Sequence, residues 1–539
     1  MQWLKDSELS ANPRAWTPTR WVTVALAVAV ILVIVVRVRL LSLPVERDEG
    51  EYAYAGQLML EGIPPYQLEY NMKLPGTYAS YAVIMAVFGE TTAGIHFGFL
   101  LVTLGTLALL FFIARRLFDT AHAALACVCY ALLSMCPGVL GLEGHATHLV
   151  VLAAMSGLLL LLKARASGQL LTFALSGIAF GLSFVCKQPG LFFGMFAAAV
   201  LLRDLVKAAP PERRRCIRNI FWFGIGLGLP FLLTCLLMTW AGTFDRFWFW
   251  TITYARTHGE LLNWHIGLLN LGAFNDKAGA LRWSWPIALV GIVCVVLDKS
   301  RKETSFVIVC LLIFSLIAFT ASYYFSRHYF IMVLPVACLL IAVAVRRVAM
   351  AEGEAGTACI FALACVAFVF ANRALWFEQT PEAACRALYG GNPFLEAVPI
   401  AKYIEEHSTP KDTIAIMGSE PEIYFYARRH SATGYIYMYD LVQPHAYARP
   451  MQREMIEQVE ASKPAFLLTV YVDSSWMFFK SSDLTMMDWL KDYAAKYYDV
   501  VGMTWIMPDR TEYIWGPEAN KRRFDTPLRV AIMKRKSGV

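Results

Sequence analysis

Eleven apolar stretches follow one another along the first 372 residues, each long enough, or nearly so, to cross a membrane. They cover residues 21–43, 93–114, 121–142, 147–162, 170–186, 188–202, 219–240, 283–297, 305–323, 329–345 and 356–372. A bilayer-spanning helix needs about 20 mostly apolar residues. The chain is 58% hydrophobic and only 17% charged, which excludes an ordinary soluble globular protein, where about 25% of residues are charged. We therefore predict a polytopic α-helical membrane protein with about eleven transmembrane helices.

Basic residues in the gaps between these stretches predict the topology. With the N-terminus in the cytoplasm, the cytoplasmic gaps contain Arg115/Arg116, Lys163/Arg165, residues 203–218, Lys299/Arg301/Lys302 and Arg346/Arg347. Cytoplasmic loops carry such an excess of Lys and Arg, and the opposite gaps contain fewer, single basic residues. An odd number of spans then places the chain after about residue 373 outside. We predict a multi-pass protein of the cell inner (plasma) membrane, with a periplasmic or otherwise extracytoplasmic C-terminal region and no nucleic-acid partner.

Three further segments complete the predicted organisation. The first apolar stretch exceeds the core of about 7–15 residues of a signal peptide, so we expect it to be a retained helix. The first extracytoplasmic loop, residues 44–92, contains Ala79–Phe88, which is apolar but too short to span and suits a helix on the membrane surface. Residues 243–282 are rich in aromatic side chains, which is typical of the membrane interface.

The polar tail, residues 373–539, is predicted to be a separate α/β domain. Its candidate strands are Thr413–Met417, Ile436–Met438, Phe466–Val472, Val500–Trp505, Glu512–Trp515 and Leu528–Met533, and its candidate helices are Leu395–His407, Arg449–Ala461 and Asp483–Tyr497. Strands that alternate with helices are typical of a layered α/β domain. The predicted division is thus a transmembrane domain, residues 1–372, and an extracytoplasmic α/β domain, residues 373–539.

The densest polar cluster directly follows the first apolar stretch and has the sequence Glu46-Arg47-Asp48-Glu49-Gly50-Glu51-Tyr52. An isolated acidic run is usually a hydrated loop, but here Lys73-Leu74-Pro75-Gly76 follows in the same segment. A carboxylate beside a cationic, rigid loop suits a reaction in which a base activates a hydroxyl while cations hold a phosphate. Since phosphate is a good leaving group, one base suffices, whereas a glycosidase needs two carboxylates.

These motifs resemble those of the GT-C membrane glycosyltransferases, and in particular the protein O-mannosyltransferases and the lipid A aminoarabinose transferases, a glycosyltransferase family 39-like group. The resemblance rests on Asp48-Glu49, Lys73-x-Pro75, Lys187-Gln188-Pro189 and Arg327-His328-Tyr329, and it covers residues 1 to about 372. The loop Lys73-Leu74-Pro75-Gly76 differs from the Lys-Pro-Pro of the aminoarabinose transferases. Glycan, lipid and protein acceptors therefore all stay open.

The resemblance implies a GT-C-like catalytic domain and an enzyme that takes a sugar from a polyprenyl-phosphate carrier on the extracytoplasmic face. The sugar passes to a glycan, lipid or protein acceptor with inversion of the anomeric centre. Asp48 would be the general base, and Glu49 would orient it or bind the acceptor. The resemblance implies neither a catalytic metal nor a cofactor.

Basic residues on the predicted outer face are candidates for binding the donor phosphate. They are Lys73, Lys187, Arg256 and Arg327. Charges in or near membrane helices are costly and tend to be functional, although each of these side chains can instead extend to the lipid headgroups. The same two roles are open for Arg37 and Arg39, at the outer end of the first helix.

A hairpin between the third and fourth stretches supplies further candidates for the substrate cavity, namely Glu143, His145 and His148. We expect Glu51, Tyr52, Gln188 and Tyr329 to line the same cavity. Three donors in one short segment, with no fourth, do not make a metal site, so we predict none. The cysteines lie mostly in apolar stretches and contain no CxxC pattern, which favours neither metal binding nor a disulfide framework.

Two other functional classes compete with the glycosyltransferase. A transporter or flippase of lipid-linked sugars would also have many spans and charges near the membrane, but transporters often carry paired halves with interrupted helices, and the sequence shows no such repeat. A structural or sensory membrane protein would leave the acidic first loop unexplained.

Overall fold

The computed structural model describes residues 20–260, 264–321 and 323–538. In chain order its helices up to residue 371 are α1 (Arg20–Arg39), α2 (Arg47–Leu60), α3 (Pro75–Phe88), α4 (Thr92–Leu117), α5 (Thr120–Leu133), α6 (Ala146–Ser167), α7 (Leu170–Cys186), α8 (Leu191–Lys207), α9 (Pro210–Trp240), α10 (Phe244–Trp248), α11 (Ala255–Glu260), α12 (Trp264–Lys277), α13 (Ser284–Leu297), α14 (Lys302–Thr320), α15 (Leu334–Glu352) and α16 (Glu354–Ala371). Every predicted apolar stretch therefore contains a helix.

Nine helices within the described ranges are long and apolar enough to cross a membrane. They are α1, α4, α6, α8, α9 and α13 to α16. Helices α3, α5 and α7 are apolar but shorter, and α5 and α7 are among the stretches predicted to span. The helical character of the eleven stretches is confirmed, and their number as spans stays a prediction.

Small residues bring α7 and α9 into close contact. A Cβ atom added to Gly177 would lie 2.2 Å from the carbonyl oxygen of Phe223, and one added to Gly226 would lie 2.1 Å from that of Ala174. Glycine at these positions allows two backbones to approach more closely than side chains permit. This packing joins two neighbouring helices of the bundle and holds the turn after α7, which carries Lys187.

The C-terminal region is a mixed α/β unit. Its helices are α17 (Pro381–Tyr389), α18 (Phe394–Glu406), α19 (Glu422–Ala427), α20 (Tyr439–Val442), α21 (Ala448–Ser462) and α22 (Thr485–Tyr497), and its strands are β1 (Ile414–Met417), β2 (Phe466–Tyr471), β3 (Tyr498–Ile506), β4 (Thr511–Trp515) and β5 (Arg529–Arg535). The strand order is β1-β2-β5-β3-β4. Strands β1 and β2 are parallel, and the other neighbouring pairs are antiparallel.

Five of the six predicted strands are confirmed within a few residues, and one prediction is wrong. Ile436–Met438 has no strand pairing but is buried, because it runs along the first loop instead of along the sheet. The Tyr437 hydroxyl donates a hydrogen bond to the Arg47 carbonyl oxygen at 3.0 Å. The sequence predicted a strand here, but the segment is buried against another element instead of pairing in the sheet.

The C-terminal unit lies directly on α2, the helix that carries the acidic cluster. Helix α19 packs so closely against α2 that a Cβ atom on Gly50 would lie 2.5 Å from the Glu422 Cβ atom. The rings of Tyr54 and Tyr424 pack against each other at a tilt of 31°, with centroids 5.2 Å apart. The sheet unit therefore covers the end of the helical bundle where the first loop lies.

Candidate active site

The first turn of α2 is fixed by the acidic residues themselves. The Glu46 carboxylate accepts a hydrogen bond from the Glu49 amide at 3.1 Å, and the Glu49 carboxylate accepts one from the Glu46 amide at 3.3 Å. This reciprocal pair is a capping box, which satisfies two amides that a helix start leaves unpaired. The cap uses the carboxylates of Glu46 and Glu49, whereas the Asp48 carboxylate contacts Lys73.

Asp48 pairs with Lys73, the basic residue of the Lys-x-Pro loop. Lys73 Nζ lies 3.0 Å from Asp48 Oδ1 and 3.4 Å from Glu51 Oε2. Burial raises the pKa of the Asp48 carboxyl, but the ammonium of Lys73 outweighs this effect and holds the pKa well below its usual range. Asp48 is therefore ionised at neutral pH. The structure brings together these two residues, which were predicted as base and phosphate ligand.

Glu49 is completely buried and has structural partners on two other elements. Its Oε1 atom is 3.0 Å from His96 Nε2 on α4 and accepts a hydrogen bond from the Gly144 amide. Burial raises the Glu49 pKa, but the charge and hydrogen bond of His96 lower it below its usual value. A carboxylate with no exposed surface suits the predicted orienting role better than contact with an acceptor.

Glu51 and Tyr52 contact the ammonium group of Lys73 from the buried side of the site. The Tyr78 hydroxyl donates to Glu51 Oε1 at 2.6 Å, and Lys73 Nζ donates to the Tyr52 hydroxyl at 3.1 Å. Burial raises the pKa of the Glu51 carboxyl above its usual value. Both side chains are fully buried, and both fix the position of the ammonium group. That they line the substrate cavity stays a prediction.

Of the predicted hairpin residues, the structure places His145 beside Asp48. Glu143, His145 and His148 are all buried, and His145 directly precedes α6. The His145 ring stacks on that of His328, with centroids 4.1 Å apart and planes inclined by 20°. Burial lowers the pKa of His145 to about 4 and that of His328 well below its usual value. Both imidazoles are therefore neutral at neutral pH.

The turn after α7 contributes a second ammonium group. Lys187 is buried, and its Nζ atom lies 4.3 Å from the centroid of the Tyr329 ring. The Gln188 amide donates to the Met72 carbonyl oxygen at 2.6 Å, which ties this turn to the residue before Lys73. These contacts bring Lys187 and Gln188 close to the loop that carries Lys73. The predicted roles of Lys187 in phosphate binding, and of Gln188 and Tyr329 in the cavity lining, stay predictions.

The arginine candidates have different surroundings. Arg327 donates to the carbonyl oxygens of Pro137 and Leu388 at 3.3 and 3.2 Å, while lining the cavity beside His328. Arg256 is exposed on α11. Arg37 donates to the carbonyls of Leu142 and Gly141, and Arg39 to those of Leu375, Trp376 and Gln379. The last two guanidinium groups hold backbone segments around the site, a role that the sequence did not predict.

A cavity of about 330 Å³ opens beside His145 and His328. Its polar lining includes Glu46, Asn270, Lys277, Tyr324, Arg327 and the two histidines. Because Asp48 Oδ2 lies 4.0 Å from His328 Nε2, a molecule in this cavity would approach the side of Asp48 that faces away from Lys73.

The C-terminal unit also contributes to the site, which the sequence did not predict. The Tyr437 hydroxyl lies 3.4 Å from Asp48 Oδ1. Arg47 donates to Glu420 at 2.8 Å and to the Ser419 carbonyl oxygen, and Glu420 is fully buried. No sequence pattern linked residues 419–437 to the first loop, since the contact depends on how the C-terminal unit docks.

Comparison with solved structures places this arrangement in a known fold. ArnT from Cupriavidus metallidurans bound to undecaprenyl phosphate aligns with 96% of this chain and 98% of its own, with a TM-score of 0.56 and 16% identity. The Archaeoglobus fulgidus oligosaccharyltransferase AglB, in complex with an inhibitory peptide and a dolichol-phosphate, aligns with 96% of this chain and 76% of its own, with a TM-score of 0.54 and 13% identity. The chain has the GT-C fold. The predicted fold class, a polytopic helical protein with a C-terminal α/β unit, is confirmed.

Sequence comparison agrees with the GT-C fold over part of the chain. A family profile described as dolichyl-phosphate-mannose-protein mannosyltransferase matches residues 74–251. The chain is also similar to two enzymes named undecaprenyl phosphate-alpha-4-amino-4-deoxy-L-arabinose arabinosyl transferase. It is 30% identical over 229 residues to the enzyme of Pseudomonas paraeruginosa (strain DSM 24068 / PA7), and 31% identical over 230 residues to that of Pseudomonas aeruginosa (strain LESB58). These matches span 40% of this GT-C chain and 40% of each relative. The predicted resemblance to this group is confirmed.

Proposed function

We propose that this protein is a membrane glycosyltransferase that moves a sugar from a polyprenyl-phosphate carrier to an acceptor hydroxyl. The contact between Asp48 and Lys73 carries the proposal. Their side chains are 23% and 18% exposed, whereas those of Glu49 and Glu51 are fully buried. Of Asp48, Glu49 and Glu51, only Asp48 thus presents its carboxylate to a substrate, next to the ammonium group of Lys73. The lipid phosphates named for ArnT and AglB support a donor of the same class.

The donor phosphate would bind between Lys73 and Lys187. Both ammonium groups lie close enough to Asp48 to lower its pKa, so they surround the position where a leaving phosphate must be stabilised. Donors placed in advance around a developing charge act strongly in a site that excludes water. The support of Tyr52 for Lys73 and the aromatic ring under Lys187 hold both groups in place.

Donor binding would also activate the base. With Lys73 paired to it, Asp48 is ionised but weakly basic, because the ammonium stabilises its charge. A phosphate that engages Lys73 shares this positive charge, and the pKa of Asp48 then rises. The site therefore gains its base when the donor is bound.

The proposed reaction is a single displacement with inversion. The acceptor oxygen forms a bond to the anomeric carbon while its proton passes to the Asp48 carboxylate. The bond between the anomeric carbon and the phosphate oxygen breaks, and its electron pair stays on the leaving polyprenyl phosphate. Glycan, lipid and protein hydroxyls all satisfy this chemistry.

We also propose that the site faces the extracytoplasmic side. Helix α6 begins next to His145 at the site, and Arg165 in its last turn pairs with Asp204 at 2.7 Å. The basic residues concentrated at that other end suit the cytoplasmic face. Reporter fusions after residues 116, 165, 218, 302 and 347 should be cytoplasmic, and fusions within 381–539 external. A cytoplasmic C-terminal unit would contradict the proposed donor side.

The function is tested in proteoliposomes that contain the purified protein and a radiolabelled undecaprenyl-phosphate sugar. Addition of a cell-envelope extract as acceptor should move label from lipid to acceptor with the wild-type protein and not with Asp48→Asn. Label that crosses the bilayer without transfer would instead establish a flippase. The carboxylate cluster lies at the helix ends and not in the middle of the bundle. This location favours a transferase over a flippase.

A further inference from the structure

A polar cavity lies at the end of the helical bundle opposite the candidate active site. It is formed where α6 and α8 end and where α7, α9 and α14 begin. Helix α6 starts beside His145 at the site and ends at this cavity, and its 22 residues correspond to a length of about 33 Å. The cavity has a volume of about 430 Å³, which is within the range of small-ligand sites. It is therefore separate from the site around Asp48, and no step of the proposed reaction uses it.

Ion pairs of two carboxylates with three cations build most of the charged wall of this cavity. Arg165 donates two hydrogen bonds of 2.7 Å to the Asp204 carboxylate. Glu303 is bound by two cations at once, since Lys207 Nζ lies 3.0 Å from its Oε1 atom and Arg203 donates to its Oε2 atom. The paired groups alone thus have more positive than negative charge.

Arg215 adds a fourth cation to the wall. Its guanidinium group packs on the backbone of Gly168 at the end of α6, where a Cβ atom would clash with it. Within the described ranges neither Arg215 nor the nearby Glu212 forms an ion pair, so four cations and three carboxylates leave one positive charge unbalanced. Three further arginines of the same helix raise the positive potential, namely Arg213, Arg214 and Arg218.

Two residues that line the cavity have a buried polar atom without a partner. The Nη1 atom of Arg165 and the Oδ1 atom of Asn219 have no hydrogen-bond partner among the described residues. Burial of an unpaired polar group is costly, which favours a ligand that pairs with both. Nη1 can donate to a phosphate oxygen, and Oδ1 can accept from a hydroxyl. A headgroup that joins a phosphate to a hydroxyl would satisfy the two atoms.

Apolar residues beside the cavity favour a lipid headgroup over a free phosphate. Leu171 on α7, Val206 on α8 and Ile217 on α9 have exposed side chains, and each lies within two residues of a residue that lines the cavity. The cavity wall itself includes the buried side chains of Phe173 and Leu201. A phospholipid with its headgroup in the cavity could therefore place its acyl chains along the same helices.

We propose that this cavity binds the headgroup of an anionic phospholipid from the membrane leaflet at this end, which we expect to be the cytoplasmic leaflet. Basic pockets between transmembrane helices on that side bind the headgroups of anionic lipids. Arg215 and the Nη1 atom of Arg165 would hold the phosphate, and Asn219 would accept a hydrogen bond from a headgroup hydroxyl. The bound lipid would hold the ends of five helices together. The proposal does not rest on sugar transfer.

Native mass spectrometry of the full-length, delipidated protein tests the proposal. The protein should bind dioleoylphosphatidylglycerol more tightly than dioleoylphosphatidylcholine, whose headgroup has no net charge. Arg215→Gln should weaken phosphatidylglycerol binding about fivefold, the usual effect of one basic residue on attraction to anionic lipid. Arg214→Gln is the matched control, because Arg214 is exposed on the same helix and does not line the cavity. The control variant should bind this lipid like the wild type.

Competition distinguishes the two sources of the phosphate. Inorganic phosphate and glycerophosphoglycerol have no acyl chains, and neither should displace the bound lipid at millimolar concentration. Displacement by either would assign the cavity to a soluble phosphate and overturn the lipid assignment. Equal affinity for the two lipids, or equal losses in Arg215→Gln and Arg214→Gln, would overturn the inference as a whole. Because Arg215 is exposed, its variant should fold, which size-exclusion chromatography of the purified protein checks.

Discussion

Lys73 Nζ lies 3.0 Å from Asp48 Oδ1, and this contact joins the acidic start of α2 to the loop before α3. The pair unites the two groups that the proposed transfer from a phosphate-linked donor needs, a base and a cation. Because Glu49 and Glu51 are buried behind it, a substrate meets Asp48 and Lys73 first. Glu51 and Tyr52 hold the ammonium group of Lys73 in this position.

Lys73→Ala should shift the acid limb of the pH–rate profile to higher pH. With the nearest cation removed, burial dominates and the pKa of Asp48 rises from its depressed value. Asp48 must be ionised to accept a proton, so the residual activity would then disappear at a higher pH as the medium is acidified. Transfer rates across pH check this, and an unchanged acid limb would mean that Lys73 does not control Asp48.

Lys187→Ala should weaken use of the donor, since Lys187 is buried next to Asp48. Removal of one partner from a buried charge pair costs about 2–5 kcal/mol, and we expect a loss of this size in donor kcat/KM. Arg256→Ala is the comparison, because Arg256 is exposed on α11 and should change donor use little. Equal losses in the two variants would reject the assignment of the phosphate to Lys187.

Tyr437→Phe tests whether the C-terminal unit positions the base. Its hydroxyl donates to the Arg47 carbonyl oxygen and lies near Asp48 Oδ1. Loss of one such hydrogen bond costs about 0.5–1.5 kcal/mol, so kcat should fall by about two- to tenfold while donor KM stays constant. Tyr471→Phe, at an exposed tyrosine, is the control. A change in donor KM alone would place Tyr437 in donor binding instead.

Asp440 should make the C-terminal unit less stable as the pH rises. Burial raises its pKa to about 7, whereas in an unfolded chain it is about 3.9. The folded state thus binds more protons between these values, and stability falls with rising pH across this range by up to about 4 kcal/mol. Below pH 4 and above pH 7 this contribution is constant.

The check is the Tm of Asp440→Asn against the wild type from pH 5 to pH 8. Asparagine keeps the acceptor for the Tyr254 hydroxyl, which lies 2.8 Å from Asp440 Oδ1, and it does not ionise. The variant should therefore gain stability relative to the wild type as the pH increases. Parallel Tm curves would show that Asp440 is not the titrating group.

Local patterns predicted much of the fold and part of the site. Hydropathy located the helices of the bundle because a lipid-facing helix needs a long apolar run whatever its neighbours are. Asp48 and Lys73 could be predicted because both belong to one polar segment between apolar stretches. Lys187 was located by a short motif at a helix junction, and the structure places it at the end of α7.

The remaining site residues depend on tertiary packing. His328 was visible in the Arg327-His328-Tyr329 motif, but nothing in the sequence paired it with His145. His96 contacts Glu49 from inside an apolar helix, where a lone histidine carries no signal. Arg37 is buried against backbone carbonyls rather than beside the lysines, because the chain between α5 and α6 folds back over the end of α1.

The most direct test of the central claim is the turnover of purified Asp48→Asn with a polyprenyl-phosphate sugar and its acceptor. The substitution keeps the shape of the side chain and removes its basicity, so transfer should fall by about 10²–10⁴-fold, the usual contribution of a positioned base. Donor binding should persist, and Glu49→Gln should lose less, since Glu49 is buried behind the site. Turnover close to that of the wild type in Asp48→Asn would contradict the account.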